Sequence, residues 1–346
     1  MSARFGKSAL WTRRQALAGG SAASLLALGG CSRHPSASPV GVVLTNGISG
    51  LVVQELARSM GYLADLAVKR KLLVVSDGSK CVAALVSGAS EISVGTGFNQ
   101  VPAAIANGAG LRIVAGALSL CPLAMFSGKT TIRSVTDLSG KTIGIGPLGA
   151  VVHQMTVLLL KKKGVAVDGV LFRNVGSASD IFKAVAAGTV DAGLADVDVF
   201  DQQAQYGVHT LSGGLLWKEI PEYTNQATYA SEEAIQNDRR NLVGFLAAIA
   251  QVYRFISSPD SKVAYQRAWQ IVSGKSDSTQ ALTQWNWIQQ NRPYDTDLEL
   301  SDERINFVQR TNLEFGVQKA VLPVSQIADM SLAQEALRLL NTKTNG

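Results

Sequence analysis

Short apolar runs alternate with amphipathic stretches through the middle of the chain. Residues 41–45 and 142–146 have the length and composition of buried strands, and residues 51–60 and 150–163 have the apolar spacing that is typical of helices. A small-residue loop separates each strand from its helix. Chains that alternate in this way form mostly parallel sheets with right-handed crossovers. The pattern therefore predicts an α/β fold.

The alternating stretches are copies of one another at an offset of 100 residues. Residues 76–94 and 176–194 each combine a loop, a short helix, a glycine, an acidic residue and a strand of small residues. The acidic position is Glu91 in the first copy and Asp191 in the second. A repeat this long is unlike the short units of a solenoid. It predicts two similar α/β lobes that face each other.

The domain limits follow from the repeat and from what lies on either side of it. We expect a leader, a tether, a first lobe, a second lobe and a helical C-terminal extension of the first lobe, over residues 1–30, 31–39, 40–121, 122–216 and 217–346 respectively. The extension holds four tryptophans, which we interpret as anchors for helix packing rather than ligand contacts: Trp217, Trp269, Trp285 and Trp287.

The first thirty residues have the features of a secretion signal. The pair Arg13-Arg14 precedes a weakly apolar run, which is too short and too rich in glycine for a membrane-spanning helix of roughly 20 apolar residues. The paired arginines resemble a twin-arginine signal, and Leu28-Gly29-Gly30-Cys31 resembles a lipobox, where lipid is attached to Cys31. The alternative is an ordinary Sec signal with an incidental cysteine. We expect a periplasmic or otherwise extracytoplasmic protein that a lipid holds at the membrane.

Composition supports a folded chain and shows where its charge lies. Of the 346 residues, 47% are hydrophobic and 17% are charged, so the chain can bury a sizeable core. The net charge is +6, and the leader carries four of the positive charges without an acidic residue. The small excess that remains argues against a surface for nucleic acid.

Residues that carry catalysis or bind metals are scarce. The three histidines, His34, His153 and His209, are far apart, and no His-x-x-x-His, Cys-x-x-Cys or acidic metal loop is present. We expect no metal, no cofactor and no catalytic residue. Cys81 and Cys121 could form one disulfide in an oxidising compartment, but we favour two buried free thiols because nothing in the sequence fixes their geometry.

Six loops join strands to helix N-termini, three in each copy of the repeat. In parallel sheets such loops lie at the carboxyl edge of the strands, where ligands bind, and helix N-termini add free N–H groups. Two such edges that face each other predict a ligand cleft. The candidate ligand residues are Asn46, Ser49, Asp77, Ser79, Thr96, Gly97 and Asn99 in the first lobe, and Gly149, His153, Asn174, Ser177, Asp196 and Asp198 in the second. Cys121, at the start of the first crossover, is a further candidate, with its side chain toward either the cleft or the core.

Three segments resemble a known family. Residues 132–145 resemble the lobe-crossing signature of the solute-binding proteins of ABC importers, and residues 187–193 resemble their turn of small residues with Asp-Ala. Residues 295–307 resemble the tail helix of the group that binds nitrate, sulfonates, taurine and thiamine precursors. The resemblance covers roughly residues 40–340. It implies a two-lobed type II periplasmic-binding-protein fold, in which each lobe is a mostly parallel sheet flanked by helices.

The resemblance also implies a function. The protein is expected to be a monomeric receptor that captures a small polar organic solute, such as a sulfonate, nitrate, taurine or a pyrimidine, and delivers it to the permease and ATPase of an importer. Two alternatives remain open. One is an enzyme like the thiamine-pyrimidine synthases, which consume a histidine of their own with iron; His153 is the one histidine at the predicted cleft. The other is a ligand-sensing lipoprotein that acts through a partner.

The loops depart from the pattern of the sulfonate binders. Those proteins tend to carry hydroxyl residues in the turn that is Pro147-Leu148-Gly149-Ala150 here. None of the six loops holds an arginine, which is the usual clamp for such anions. Asp77, Asp196 and Asp198 are instead suited to accept hydrogen bonds from an amine or a ring N–H. Asp196 and Asp198 could equally be helix caps.

Overall fold

The computed structural model of the chain describes residues 38–344. The leader over residues 1–30, the tether as far as residue 37 and the expected lipid attachment at Cys31 lie outside the described residues. They therefore stay predictions.

The described residues form ten strands in two five-stranded sheets. In chain order the strands are β1 (Val40–Thr45), β2 (Arg70–Val75), β3 (Ile92–Thr96), β4 (Leu111–Leu118), β5 (Leu123–Ser127), β6 (Thr142–Ile145), β7 (Leu171–Asn174), β8 (Ala192–Asp196), β9 (His209–Leu215) and β10 (Gln226–Ser231). The first sheet has the order β2-β1-β3-β10-β4, and the second has the order β7-β6-β8-β5-β9.

Helices flank both sheets. In the described chain they are α1 (Ile48–Ser59), α2 (Tyr62–Asp65), α3 (Gly78–Val86), α4 (Gln100–Ala106), α5 (Val151–Lys162), α6 (Ala178–Ala186), α7 (Gln203–Tyr206), α8 (Leu216–Glu219), α9 (Glu232–Asn237), α10 (Arg239–Ile256), α11 (Lys262–Ser273), α12 (Thr279–Asn291), α13 (Asp302–Glu314), α14 (Val324–Ile327) and α15 (Ser331–Thr344). Short 3-10 helices cover Val135–Leu138, Val167–Gly169, Val197–Gln202 and Pro259–Ser261.

Each sheet is mostly parallel, as the sequence predicts. In the first sheet β1 pairs in parallel with β2 and β3, and in the second sheet β6 pairs in parallel with β7 and β8. One strand of each sheet is antiparallel to both of its neighbours. These strands are β10, between β3 and β4, and β5, between β8 and β9. The prediction of two α/β lobes is confirmed.

The repeat seen in the sequence is present in the fold. The helices α3 and α6 occupy equivalent places in the two lobes, and an acidic residue follows each of them. Glu91 Oε2 accepts a 2.7 Å hydrogen bond from the backbone N–H of Gly41. Asp191 Oδ2 accepts one of 2.7 Å from the backbone N–H of Thr142. Each acid thus holds the first strand of its own copy of the repeat near the start of that strand.

Two short segments join the lobes. Residues 119–122 lead from β4 to β5, and residues 220–225 lead from α8 to β10. The helix α8 still packs against β5 and β9 of the second sheet, so the chain leaves the second lobe after it. The backbone N–H of Asn225 donates to the carbonyl of Leu118 at 3.0 Å, which ties the second connection to the end of β4.

The strand β10 corrects the expectation for the C-terminal extension. The sequence beyond Trp217 predicts helices only, yet Gln226–Ser231 forms a strand in the middle of the first sheet. This strand is almost wholly buried, and it bonds to β3 on one side and to β4 on the other. Pairing along both edges, rather than an intrinsic preference, makes these residues a strand.

The helical extension packs against both lobes. In the first lobe α10 packs against α1 and α15, and α11 packs against α1. The helix α12 packs instead against Val197–Gln202 of the second lobe, where the rings of Trp287 and Trp217 have centres 5.6 Å apart. These two tryptophans and Trp269 are at most 7% exposed, so their rings pack inside the molecule. Within residues 38–344, no single helix is long and apolar enough to cross a membrane. Helix α10 and residues Pro259–Ser273 reach that length and apolarity only together, as a pair bent by 96°.

Both cysteines of the described chain are buried free thiols, as we favour from the sequence. Burial raises the pKa of Cys81 to about 11, against hydrogen bonds to Ser93 and Tyr229 that lower it. Cys121 is fully buried, and its pKa is also raised by burial. Both thiols therefore keep their protons near neutral pH.

Candidate functional site

A cavity of about 190 Å³ lies where the two lobes and the C-terminal helices meet. The first lobe reaches it with the first turn of α1, and the second lobe with the first turn of α6 and the end of β8. The loop between α11 and α12 borders a third side. Its walls include Ile48, Ser179, Asp196, Asp198, Trp269 and Lys275. Of the predicted ligand residues, the structure thus brings Asp196 and Asp198 to this cavity.

Neither aspartate serves as a helix cap. Asp196 stands at the position before the 3-10 helix Val197–Gln202, but its side chain makes no capping hydrogen bond. Asp198 lies inside that helix. The carboxyl of Asp196 reaches solvent at the cavity, and that of Asp198 is partly buried beside it. The structure therefore does not show Asp196 or Asp198 as a plain helix cap.

The surroundings of the two aspartates favour their uncharged forms. Asp196 is exposed, but desolvation by the neighbouring protein atoms, with the negative charge of Asp198, raises the pKa of Asp196 to about 7. Burial also raises the pKa of Asp198, the charge of Asp201 adds to the rise, and Lys275 opposes it. The charge of Asp196 therefore changes near neutral pH.

The C-terminal helices contribute Lys275 and Trp269 to the cavity. Lys275 Nζ donates a 2.9 Å hydrogen bond to Gln280 Oε1 and lies 5.7 Å from the centre of the Trp269 ring. Trp269 is 2% exposed, and its Nε1–H has no hydrogen-bond partner in the described chain. Trp269, which the sequence assigns to helix packing, therefore also borders this cavity. The sequence signal for this wall is Gly274, which ends α11 at a φ of +69° just before Lys275.

Two candidates of the first lobe and its crossover lie in the core rather than at the cleft. The Thr96 hydroxyl donates to Tyr229 at 3.0 Å and lies 2.9 Å from the Ser93 hydroxyl, and the residue is 1% exposed. Cys121 is fully buried. Neighbouring side chains of the core enclose Thr96, and of the two orientations open to Cys121 the structure shows the one toward the core.

Asn99 belongs to a buried chain of amides between the lobes. Asn312 of α13 donates through Nδ2 to the Asn99 carbonyl at 2.5 Å and accepts through Oδ1 from Gln154 of α5 at 3.2 Å. All three residues are at most 2% exposed. Asn99 Oδ1 and Gln154 Oε1 have no partner in the described chain. Asn312 and Gln154 are residues that the sequence patterns did not single out.

Three further candidates have local partners that account for them. Asp77 caps α3 by accepting from the Lys80 backbone N–H at 3.1 Å, and the Ser76 hydroxyl and this N–H hold the pKa of Asp77 below its usual value. Ser177 forms a capping box with Asp180 at the start of α6. Asn174 accepts from the Gly176 backbone N–H at 3.2 Å. These contacts are those of turns and caps.

The other small and polar candidates of the first lobe lie at loop surfaces. Asn46 is exposed and Ser49 is partly buried, on either side of Ile48 at the cavity. Ser79 is exposed in the first turn of α3, and Gly97 is partly buried 3.9 Å from the Asn225 carbonyl, measured from a Cβ built on the glycine. Asn46 and Ser49 thus flank a residue of the cavity wall along the chain and are not themselves among the residues that line the cavity.

His153 and Gly149 lie together, away from the two aspartates. His153 Nδ1 accepts from the Gly149 backbone N–H at 3.0 Å. The imidazole stands edge-on to Phe172 and Phe315, with ring centres 5.5 and 5.6 Å away, and burial lowers the pKa of His153. It borders an open groove of about 810 Å³ that includes Lys161 and Phe172 of the second lobe. The structure therefore does not bring His153 to the interlobe cavity.

One residue of α13 contacts both connections between the lobes. Arg304 donates through Nη1 to the Ser119 carbonyl at 2.9 Å and to the Thr224 hydroxyl at 3.2 Å. Asp295 lies close by, and burial raises its pKa to about 7 against the effects of Ser119 and Arg304. The sequence offers no pattern that marks this arginine as a link.

Metal ligands are not clustered in the described residues. Among residues 38–344, no group of three or more histidine, cysteine, aspartate or glutamate side chains is placed to hold a metal ion.

Two five-stranded sheets of this topology, joined by two crossovers with a cavity between them, define the fold of the periplasmic binding proteins. The periplasmic aliphatic sulphonate binding protein SsuA from Escherichia coli is similar with a TM-score of 0.67 and 17% identity, over 85% of this chain and 92% of that chain. The nitrate-binding protein NrtA from Synechocystis PCC 6803 is similar with a TM-score of 0.68 and 11% identity, over 87% and 89%. The desulfurization enzyme DSZB shares the fold with a TM-score of 0.62 and 15% identity, over 88% and 100%.

The family of the protein follows from a match between its sequence and a family model. The family model described as NMT1/THI5 like matches residues 52–261, which is more than half of the chain. The protein therefore belongs to the NMT1/THI5-like family. The comparison with curated proteins gave no match.

Proposed function

We propose that this protein is a solute-binding protein of an ABC importer, which captures a small polar organic solute between its lobes and delivers it to a permease. The observation that carries this proposal is the cavity of about 190 Å³ to which both lobes contribute walls. A solute that contacts both lobes favours their closed arrangement by its difference in affinity for the two states. SsuA and NrtA, which share the fold, are named as binding proteins for sulphonate and nitrate.

The size of the cavity supports a small ligand. Sites for drug-sized molecules usually measure about 300–1,000 Å³, and this cavity is smaller. A cavity of this size has room for several waters or for one compact organic solute.

The side chains support binding rather than catalysis. The thiols of Cys81 and Cys121 are buried and protonated, so neither is a ready nucleophile. His153, which a histidine-consuming enzyme would need at its site, is held by Gly149 and two phenylalanine rings outside the cavity. The enzyme DSZB has the same fold, so the fold by itself favours neither role.

The leader supports a location outside the cytoplasm. We propose lipid attachment at Cys31 and export by the twin-arginine route, on the basis of Arg13-Arg14 and of Leu28-Gly29-Gly30-Cys31. The periplasmic names of the structural relatives are consistent with this location.

Scattering with and without solute tests the proposed function. The purified protein is titrated with a panel of small sulfonates, amines, amino acids and pyrimidines, and any solute that binds is carried into small-angle X-ray scattering. A solute bound between the lobes should lower the radius of gyration. A tightly bound solute that leaves the radius unchanged at saturation would contradict capture by lobe closure.

A further inference from the structure

The cavity between the lobes presents acceptors on one side and donors on the other. Asp196 and Asp198 of the second lobe supply carboxylate oxygens. The loop and helix of the C-terminal extension supply the ammonium of Lys275 and the indole of Trp269. Lys275 acts on the charge of Asp198 through space, but no direct ion pair joins the two in the described chain. The two carboxyl groups and the ammonium therefore border the same space without direct contact with each other.

The indole of Trp269 is an independent sign that a ligand belongs here. Its Nε1–H is buried and donates to no acceptor among the described residues, although the residue is only 2% exposed. A buried N–H without a partner is costly, so such groups are usually satisfied by a ligand or by ordered water. The ring that carries it forms part of the cavity wall beside Lys275.

We propose that the solute is a small zwitterion, whose protonated amine binds Asp196 and Asp198 and whose acceptor group, a carboxylate or a sulfonate, binds on the side of Lys275 and Trp269. This inference rests on the proposed function, because it names the class of solute for the same cavity. An anion without an amine leaves two carboxyl groups facing it, which costs affinity by like-charge repulsion once they are ionised. A zwitterion satisfies both sides within about 190 Å³.

Matched pairs of probes test the class of solute. Taurine and isethionate differ only by an amine in place of a hydroxyl, and so do β-alanine and 3-hydroxypropionate. Calorimetry with the full mature protein should show the amine member of a pair binding at least about tenfold more tightly, because a charge-assisted hydrogen bond exceeds a neutral one by that much. Asp198→Asn should remove this preference. The matched control is Asp168→Asn, which changes an exposed aspartate of the second lobe outside the cavity.

The outcomes separate this inference from the proposed function. If isethionate, 3-hydroxypropionate or nitrate binds as tightly as the amines and lowers the radius of gyration, the inference is overturned and the proposed function stands. If no probe binds at millimolar concentration and the denatured protein releases no small solute for mass spectrometry, both are overturned. A preference for the amine that Asp198→Asn abolishes and Asp168→Asn preserves supports the inference.

The pH dependence of binding gives a second readout. Asp196 is faced by Asp198 and by the Cys121 thiol of the first crossover. Asp201 and Lys275 act on Asp198, and Asp277 acts on Asp201. Its pKa of about 7 means that the carboxylate needed for an amine forms as the pH rises through 7. Affinity for the amine probe should therefore rise up to about tenfold between pH 6 and pH 8. Asp196→Asn should flatten this rise, and an affinity of the parent protein that does not change with pH would overturn the role of Asp196.

Discussion

The hydroxyl of Thr96 lies inside the first lobe, between those of Ser93 and Tyr229. A loop-edge threonine after a strand predicts a ligand contact, and the sequence alone supports that prediction well. The direction of its side chain depends on Tyr229, which is 133 residues away along the chain. A spacing pattern carries no information about such a partner. The spacing pattern could identify Asp196 and Asp198, which lie at the end of a strand of the repeat. It could not identify Trp269, which reaches the cavity from the C-terminal extension.

The buried position of Thr96 makes a prediction about stability. Thr96→Ala leaves the Tyr229 hydroxyl without this partner, so the free energy of unfolding should fall by about 1–3 kcal/mol while solute affinity stays nearly unchanged. Urea unfolding and calorimetry measure the two effects. Ser79→Ala, at an exposed hydroxyl in the first turn of α3, is the control. If the Thr96→Ala protein keeps the stability of the parent protein but no longer binds the solute, Thr96 is a solute contact in the cleft.

At the scale of elements, α13 connects parts of the molecule that the repeat keeps separate. Its N-terminal half holds both crossovers through Arg304, and its C-terminal half joins Asn99 of the first lobe to Gln154 of the second through Asn312. An ion pair between Glu314 and Lys161 of α5 adds a further contact on the surface. The helix therefore contacts both lobes or their connections near each of its ends, and these contacts help to set the relative position of the lobes.

The contact that Asn312 makes between the two lobes can be tested by mutation. Asn312→Ala leaves the Asn99 carbonyl and the Gln154 amide without this partner in a buried place, and should lower the free energy of unfolding by about 1–3 kcal/mol. The solute-free radius of gyration should rise as the lobes separate. Asn341→Ala, on the exposed face of α15, should change neither quantity. An Asn312→Ala protein with the parent radius would show that this contact does not hold the lobes.

The elements that the sequence predicts are those that the repeat contains. The strands and helices of both lobes recur at a fixed offset, so each copy supports the interpretation of the other. The strand β10 lies outside the two stretches that repeat, so no second copy supports its interpretation. Its residues Gln226–Ser231 also lack the β-branched and aromatic run of a typical buried strand. It becomes a strand because β3 and β4 leave a gap in the sheet that it fills.

At the scale of the whole molecule, the leader predicts where the protein resides. Cys31→Ala should yield a form that carries no lipid and either keeps its leader or separates from membranes on fractionation. Arg13→Lys combined with Arg14→Lys should block export, because the twin-arginine route reads the arginine pair. Arg4→Lys in the same leader is the control. Normal export of the double variant would rule out the twin-arginine route and leave lipid attachment untouched.

The two-lobed architecture could be predicted from the repeat, but the reach of the C-terminal extension could not. The sequence assigns residues 217–346 to the first lobe, where α10, α11 and α15 indeed pack. The same extension also lays α12 against Val197–Gln202 and brings Lys275 to the cavity. Amphipathic spacing shows that a helix buries one face but not which lobe it buries that face against.

The place of β10 has a consequence for how the chain folds as it leaves the ribosome. The second sheet takes all five of its strands from residues 123–215, so it can be completed while the rest of the chain is still being made. The first sheet begins at Val40 but cannot close until Gln226–Ser231 enters between β3 and β4. Until then β3 and β4 expose the edges that β10 later covers, and such edges invite pairing with other chains. The lobe that is synthesised first is thus the lobe that finishes folding last.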